Sequence, residues 1–61
     1  MEEKSVMLIV DDVEINRAIL TQFFKSDYII VEAANGREAL DVIENQSVDI
    51  VLLDLGMPVR D

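Results

Sequence analysis

The chain has 61 residues without cysteine or histidine, and its formal net charge at pH 7 is −8. So short a chain forms at most one small domain, spanning residues 1–61, and its charge disfavours nucleic acid or an anionic membrane surface as a direct partner. No apolar stretch approaches the roughly 20 residues of a membrane span, and the acidic N-terminus does not fit a secretory signal, so we expect a cytoplasmic protein.

Apolar residues recur along the chain with two different periods. Residues 6–10, 28–33 and 48–53 are β-branched or aromatic runs that predict strands, and the first and last are apolar enough to be buried on both faces of a parallel sheet. Residues 14–25 and 37–45 instead have the spacing of amphipathic helices. The predicted order is β-α-β-α-β, which is typical of the α/β class.

Each predicted helix has one apolar face. Asn35-Gly36 before the second helix also fits a hairpin turn, but the helical spacing from Arg37 onwards favours a helix start. The residues that form the two faces are Ile19, Leu20, Phe23 and Phe24 in the first helix and Ala39, Leu40, Val42 and Ile43 in the second.

The order of the strands within the sheet follows from how parallel strands are connected. Right-handed crossovers place one helix on each face of the sheet if the strand order is 2-1-3. This order also brings the carboxyl ends of the first and third strands together at a topological switch point, where open α/β sheets bind ligands. Periodicity alone also permits the order 1-2-3. We favour 2-1-3 because only this order makes the acidic residues described next neighbours.

Three aspartates follow the carboxyl ends of the two apolar strands, Asp11 and Asp12 after the first and Asp54 after the third. Neighbouring strands lie about 4.8 Å apart, so these carboxylates would share a small volume and repel one another unless a cation joined them. Mg²⁺ takes oxygen ligands and usually accepts one or two protein carboxylates. The pattern therefore favours a site for a hard cation.

Each of these acids also has a purely structural interpretation. Asp is a preferred helix N-cap, and Glu14 stands three residues after Asp11, close to the spacing of a capping box. Asp54, followed by Gly56 and Pro58, fits the opening of an ordinary turn. Neither interpretation explains why the acids share a position at strand ends.

Four segments of the chain carry motifs in a specific order and spacing. They are Leu8-Ile9-Val10-Asp11-Asp12, Ile15-Asn16-Arg17, Ala34-Asn35-Gly36-Arg37-Glu38-Ala39-Leu40 and Val48-Asp49-Ile50-Val51-Leu52-Leu53-Asp54-Leu55-Gly56-Met57-Pro58. In combination they resemble the N-terminal half of a response-regulator receiver domain of two-component signalling, and the Asn16-Arg17 pair is most similar to receivers of hybrid histidine kinases. The resemblance implies half of a flavodoxin-like doubly wound parallel sheet, with the order 2-1-3-4-5 in the complete domain.

The resemblance also implies a function. Asp54 would be the phosphoacceptor, which takes a phosphoryl group from a histidine of a partner histidine kinase or histidine phosphotransfer protein. The cofactor would be Mg²⁺, bound directly by Asp12 and Asp54, through water by Asp11, and by the backbone carbonyl of Gly56. Such a chain would be a signalling module rather than an enzyme.

Other functions remain open at this point. One is a binding or dimerisation module for a kinase or another receiver that accepts no phosphate. Another is an enzyme of the haloacid-dehalogenase type, which usually has a second Asp two residues after its nucleophile; Gly56 occupies that position here and disfavours it. The phosphate-binding glycine motifs of nucleotide-binding folds are absent from the sequence.

Complete receivers continue through further strands and helices, which supply a Ser or Thr and a Lys that contact the phosphoryl group. The only threonine here is Thr21, in the first predicted helix, and the lysines are Lys4 and Lys25. We therefore expect the N-terminal half of a receiver, impaired in phosphotransfer. Its third strand would be covered by the missing half or would pair with a second copy.

One apolar residue falls outside the predicted packing face of the first helix. Ile15 lies well away from the centre of that face and close to the acidic site. We expect Ile15, together with Val13, to contact the phosphodonor. The alternative is an isolated apolar residue on the surface, which is common.

Overall fold

The structure is a computed structural model, and it describes residues 3–53. The elements are β1 (Ser5–Val10), α1 (Glu14–Phe24), β2 (Tyr28–Ala33), α2 (Gly36–Asn45) and β3 (Ile50–Leu53). The predicted order β-α-β-α-β is confirmed, and β2 has the predicted bounds. Three other boundaries differ by one residue, whereas β3 begins two residues later than predicted.

The three strands form one parallel sheet with the order β2-β1-β3. Ser5 to Val10 of β1 pair in register with Tyr28 to Ala33 of β2, and Met7 to Val10 pair with Ile50 to Leu53 of β3. The prediction of a half flavodoxin-like sheet with the order 2-1-3 is therefore confirmed. The central strand β1 is buried from Met7 to Val10, as expected for a strand covered on both faces.

The two helices cover opposite faces of the sheet. Glu32 precedes Ala33 in β2, and neighbouring side chains in a strand point to opposite faces. Glu32 accepts hydrogen bonds from α1, whereas Ala33 packs against α2. The core on the α2 face is formed by Leu8, Val10, Ala33 and Ala39, with Val31, Val42 and Val48 packed around it.

Helix α1 contacts the sheet through a face that matches the predicted one only at Leu20 and Phe24. Ile19 is half exposed and Phe23 is 73% exposed, so these two residues do not pack against the sheet. The half-buried residues recur every three or four positions, as a packed helix face requires. They are Asn16, Arg17, Leu20, Thr21 and Phe24. The prediction was wrong because it counted only apolar residues, whereas Arg17 and Thr21 face the sheet and bond to Glu32.

Asn35-Gly36 opens helix α2 and not a hairpin, as predicted. Asn35 is its N-cap, and its side-chain oxygen accepts a hydrogen bond from the Glu38 N–H (2.9 Å). The Glu38 carboxylate in turn accepts from the Ala34 N–H (2.8 Å), so two backbone donors at the helix start are satisfied. Of the predicted apolar face, Ala39 and Val42 pack on the core, whereas Leu40 is 60% exposed and Ile43 is also exposed.

Strand β3 is an edge strand among the described residues, and its burial differs from the prediction. Ile50, Val51 and Leu53 are exposed, because no element covers them within residues 3–53. Before the strand begins, Asp49 is already joined to β1: its N–H donates to the Val6 carbonyl (2.9 Å) and its Oδ2 accepts from the Val6 N–H (2.8 Å). Neither helix in this part of the chain is long and apolar enough to cross a membrane.

Candidate functional site

Asp11, the first residue after β1, is completely buried, and it is held by contacts from three directions. Its N–H donates to the Ala33 carbonyl of β2 (3.1 Å), which extends the strand pairing by one residue. Its own carbonyl accepts from Arg17 Nη1 of α1 (2.7 Å), and its Oδ1 accepts from the Val13 N–H (2.9 Å). The backbone and one carboxylate oxygen of Asp11 therefore have fixed positions.

The second carboxylate oxygen, Oδ2 of Asp11, is buried and has no hydrogen-bond partner in the part of the chain that the structure describes. A buried carboxylate oxygen without a partner is unfavourable unless a cation, a proton or a water molecule satisfies it. Because the other polar atoms of Asp11 are already engaged, a ligand at this position would meet Oδ2 in a defined orientation.

The helix-capping interpretation of Asp11 and Asp12 is wrong. The N-cap of α1 is Val13, which has no side-chain oxygen, and its carbonyl accepts from the N–H groups of Asn16 and Arg17. The Asp11 side chain bonds only two residues onwards, to Val13, which shapes the loop rather than the helix end. Asp12 is exposed at the next position. A capping role therefore does not explain why two acids stand here.

The pairing of β1 with β3 places the carboxyl ends of the two strands side by side. Val10 lies opposite Leu53, and these are the last residues of their strands. In the sequence, the next residues are Asp11 and Asp54. Asp54 and Gly56, which the receiver resemblance implies as phosphoacceptor and carbonyl ligand, lie outside the described residues.

A polar network beside Asp11 was not predicted from the sequence. Arg17 Nε donates to Glu32 Oε1 of β2 at 3.0 Å, and Thr21 Oγ1 donates to Glu32 Oε2 at 3.2 Å. The Arg17 side chain is only 15% exposed, so it lies between α1 and the sheet. A signal was present in the sequence, because Glu32 interrupts an apolar strand and Arg17 and Thr21 are spaced four residues apart on one helix face.

Comparison with known proteins identifies the family. The family model of the response regulator receiver domain matches residues 7–61. The chain belongs to the response-regulator receiver family. The receiver resemblance drawn from the motifs is therefore confirmed, and with it the assignment to two-component signalling.

The receiver is similar to proteins from several organisms. It is 50% identical over 56 residues to hybrid signal transduction histidine kinase A of Dictyostelium discoideum. This alignment covers 88% of this chain and 3% of that protein. It is 44% identical over 62 aligned positions to sporulation initiation phosphotransferase F of Bacillus subtilis, covering 100% of this chain and 48% of that protein. With chemotaxis protein CheY of Halobacterium salinarum it is 38% identical over 56 residues, or 90% of this chain and 47% of that protein.

The receiver spans less than half the length of each of these relatives. No solved structure matches it significantly.

The described part of the site fits Mg²⁺ in its ligand chemistry. Asp11 offers a buried carboxylate oxygen without a partner, and Asp12 offers an exposed carboxylate beside it, both of which are hard oxygen ligands. Residues 3–53 contain no cluster of three acidic, histidine or cysteine side chains that could hold a metal ion. The two remaining ligands of the predicted site, Asp54 and Gly56, are not among these residues.

The predicted docking residues lie on the surface. Ile15 is 66% exposed, and Val13, at the N-cap of α1, is exposed as well. Their exposure agrees with the prediction, whereas contact with a phosphodonor stays a prediction.

Proposed function

We propose that this chain is the phosphoacceptor part of a receiver, in which Asp54 takes a phosphoryl group from a phosphohistidine of a histidine kinase or histidine phosphotransfer protein. In this proposal Asp12 and Asp54 bind Mg²⁺ directly, Asp11 binds it through water, and the Gly56 carbonyl completes the protein ligands. The cytoplasm is the proposed compartment, and the module is not an enzyme in its own right.

One observation carries the proposal. The parallel pairing of Val10 with Leu53 makes Asp11 and Asp54 the next residues after two neighbouring strand ends. This is the switch point of an open α/β sheet, where ligands bind. The unpartnered Oδ2 of Asp11 supports a cation at this position, and membership of the receiver family supports its use in phosphoryl transfer.

The proposed reaction is the transfer of a phosphoryl group from the donor phosphohistidine to Asp54. A carboxylate oxygen of Asp54 attacks phosphorus, a P–O bond forms, and the P–N bond to the donor histidine breaks, with a proton taken up by the departing imidazole. Mg²⁺, when bound, would supply positive charge that offsets the negative charges of the carboxylate and of the phosphoryl group. The task of Asp11 is to present one acceptor oxygen in a fixed orientation, which its three hydrogen-bonded contacts accomplish.

Labelling with acetyl phosphate tests the phosphoacceptor. We expect the 61-residue chain with Mg²⁺ to gain one phosphoryl group on Asp54, detected by mass spectrometry and peptide mapping. Labelling should be slow, because the sequence after residue 53 contains no Ser, Thr or Lys to contact the phosphoryl group. Asp54→Asn should not be labelled. Asp41→Asn, at an exposed position of α2, is the control with an acid outside the site, and it should be labelled like the wild type.

Two results would contradict the phosphoacceptor proposal. One is labelling that persists in Asp54→Asn, because the phosphoryl group would then lie elsewhere. The other is a folded wild-type chain that binds Mg²⁺ but gains no label after prolonged incubation, which would favour a binding module that accepts no phosphate.

The exposed edge of the sheet supports a second candidate function, pairing with another copy through β3. Ile50, Val51 and Leu53 are exposed, and Leu53 is 64% exposed. An exposed apolar edge strand favours pairing with another chain. We expect sedimentation velocity to show a dimer of the wild-type chain and a monomer of Val51→Lys, with Leu40→Lys on α2 as the control that still dimerises. A folded wild-type monomer at the highest concentration measured would rule out this assembly.

A further inference from the structure

Arg17 lies at the junction of three elements beside the acidic loop. It belongs to α1, its Nε donates to Glu32 of β2, and its Nη1 donates to the carbonyl of Asp11 after β1. The Arg17 side chain is 15% exposed and its bond to the Asp11 carbonyl is partly buried, whereas its bond to Glu32 lies nearer the surface. Arg17 contacts the main chain of Asp11 and not its carboxylate, so it can act on the acid only by fixing where the residue stands.

The network around Glu32 fixes the guanidinium in turn. Glu32 accepts from Arg17 through Oε1 and from Thr21 through Oε2, so both of its oxygens are used. The guanidinium is planar, and its donors point in fixed directions. With Nε held by Glu32, the direction of Nη1 towards the Asp11 carbonyl is determined. Glu32 also compensates the positive charge of Arg17, which would otherwise oppose a nearby cation.

Besides the bond from Arg17, Asp11 has two hydrogen bonds, both to main-chain groups. Its N–H donates to the Ala33 carbonyl, and its Oδ1 accepts from the Val13 N–H. The bond from Arg17 is the one hydrogen bond to Asp11 in residues 3–53 that another residue's side chain supplies. Without it, the peptide that follows Asp11 loses its anchor, and the same peptide leads directly into Asp12.

We propose that Arg17 is a positioning residue for the acidic loop, which orients Asp11 and Asp12 for a divalent cation through its paired bonds to the Asp11 carbonyl and to Glu32. This inference rests on the proposed Mg²⁺ site and extends it to a residue that contacts no metal. Residues that hold metal ligands in place commonly contribute between about tenfold and 100-fold to metal affinity.

Mg²⁺ titration of matched variants tests the proposal. The 61-residue chain is titrated with MgCl₂ at physiological ionic strength by calorimetry and by amide NMR, after circular dichroism has confirmed that each variant is folded. We expect Arg17→Met to weaken Mg²⁺ binding by about tenfold, near the lower end for such residues. Arg17→Lys should weaken it by a similar factor, because an ammonium group does not reproduce the paired geometry. Arg37→Met, at an exposed position of α2, should bind like the wild type.

A second readout is independent of the metal. With EDTA present, the exchange of the Val13 amide hydrogen should be faster in Arg17→Met than in the wild type, because the Asp11–Val13 loop loses its anchor. The exchange of the Glu38 amide at the start of α2 should be unchanged. In both cases a backbone N–H donates to a side-chain oxygen, so the Glu38 amide is a reference of the same kind at a distance from the acidic loop.

The outcomes separate this inference from the proposed function. If the wild type binds Mg²⁺ and both Arg17 variants bind it equally well, Arg17 is merely structural and the inference fails while the metal site stands. If the folded wild type binds no Mg²⁺, the metal site and the role of Arg17 in it fail together. A loss of unfolding free energy in Arg17→Met with unchanged Mg²⁺ affinity would also overturn the inference.

Discussion

Replacement of Asp11 by Asn should weaken Mg²⁺ binding without lowering folding stability. The Asn side-chain oxygen can still accept from the Val13 N–H, so the loop bond survives. The buried, unpartnered Oδ2 is replaced by a neutral amide nitrogen, which removes a charge from the interior. We expect Mg²⁺ affinity to fall by about tenfold or more. In EDTA, the free energy of unfolding should be unchanged or should rise by up to about 1 kcal/mol.

Urea unfolding with EDTA and with saturating Mg²⁺ would measure both effects, because a ligand that binds only the folded state raises the free energy of unfolding. Asp12→Asn is the matched control. Asp12 is exposed, so this variant should lose Mg²⁺ affinity without any gain of stability in EDTA. An Asp11→Asn variant that is stabilised by Mg²⁺ as much as the wild type would show that Asp11 is not part of a metal site.

Truncation of Leu8 should have the largest effect on folding. Leu8 is fully buried in the central strand, where it packs with Val10, Ala33 and Ala39. Leu-to-Ala changes in a core cost about 2–5 kcal/mol of unfolding free energy. Native domains have roughly 0.05–0.15 kcal/mol of stability per residue, so a chain this short has little to spare. We expect Leu8→Ala to be largely unfolded, or to melt at least about 8 °C lower than the wild type.

The control is a second Leu-to-Ala change in the same chain. Leu40 on α2 is 60% exposed, and surface substitutions usually change stability by less than about 0.5 kcal/mol. Thermal unfolding followed by circular dichroism compares the two variants. Equal losses from Leu8→Ala and Leu40→Ala would mean that Leu40 is covered in solution, for example by a second copy.

The sequence predicts the order and topology of the described elements well, because these depend on periodicity and on the position of acids. Residues 28–33 were predicted with their bounds, since a β-branched run between polar residues leaves little ambiguity. The strand order followed from requiring Asp11, Asp12 and Asp54 to be neighbours, and the order β2-β1-β3 satisfies that requirement as far as β1 and β3 extend.

Side-chain detail was less predictable, for a physical reason. The packing face of α1 was wrong because hydrophobicity patterns treat Arg17 and Thr21 as surface residues, whereas bonds to Glu32 allow them to face the sheet. The alternative that Asp11 caps α1 is also wrong, since its side chain accepts from the Val13 N–H and the N-cap is Val13. The packing face of α1 depends on a partner from another element, Glu32 of β2, which the sequence of the helix does not reveal.

The two bonds between Asp49 and Val6 have a consequence at the opposite end of the strand. A carboxylate oxygen and a backbone N–H of Asp49 bind the same residue of β1, so they select a single alignment of the two chains. A slip by one position would break both bonds and turn every side chain of β3 to the other face. An acid just before β3 thus sets the alignment in which Leu53 stands level with Val10, the residue that precedes Asp11.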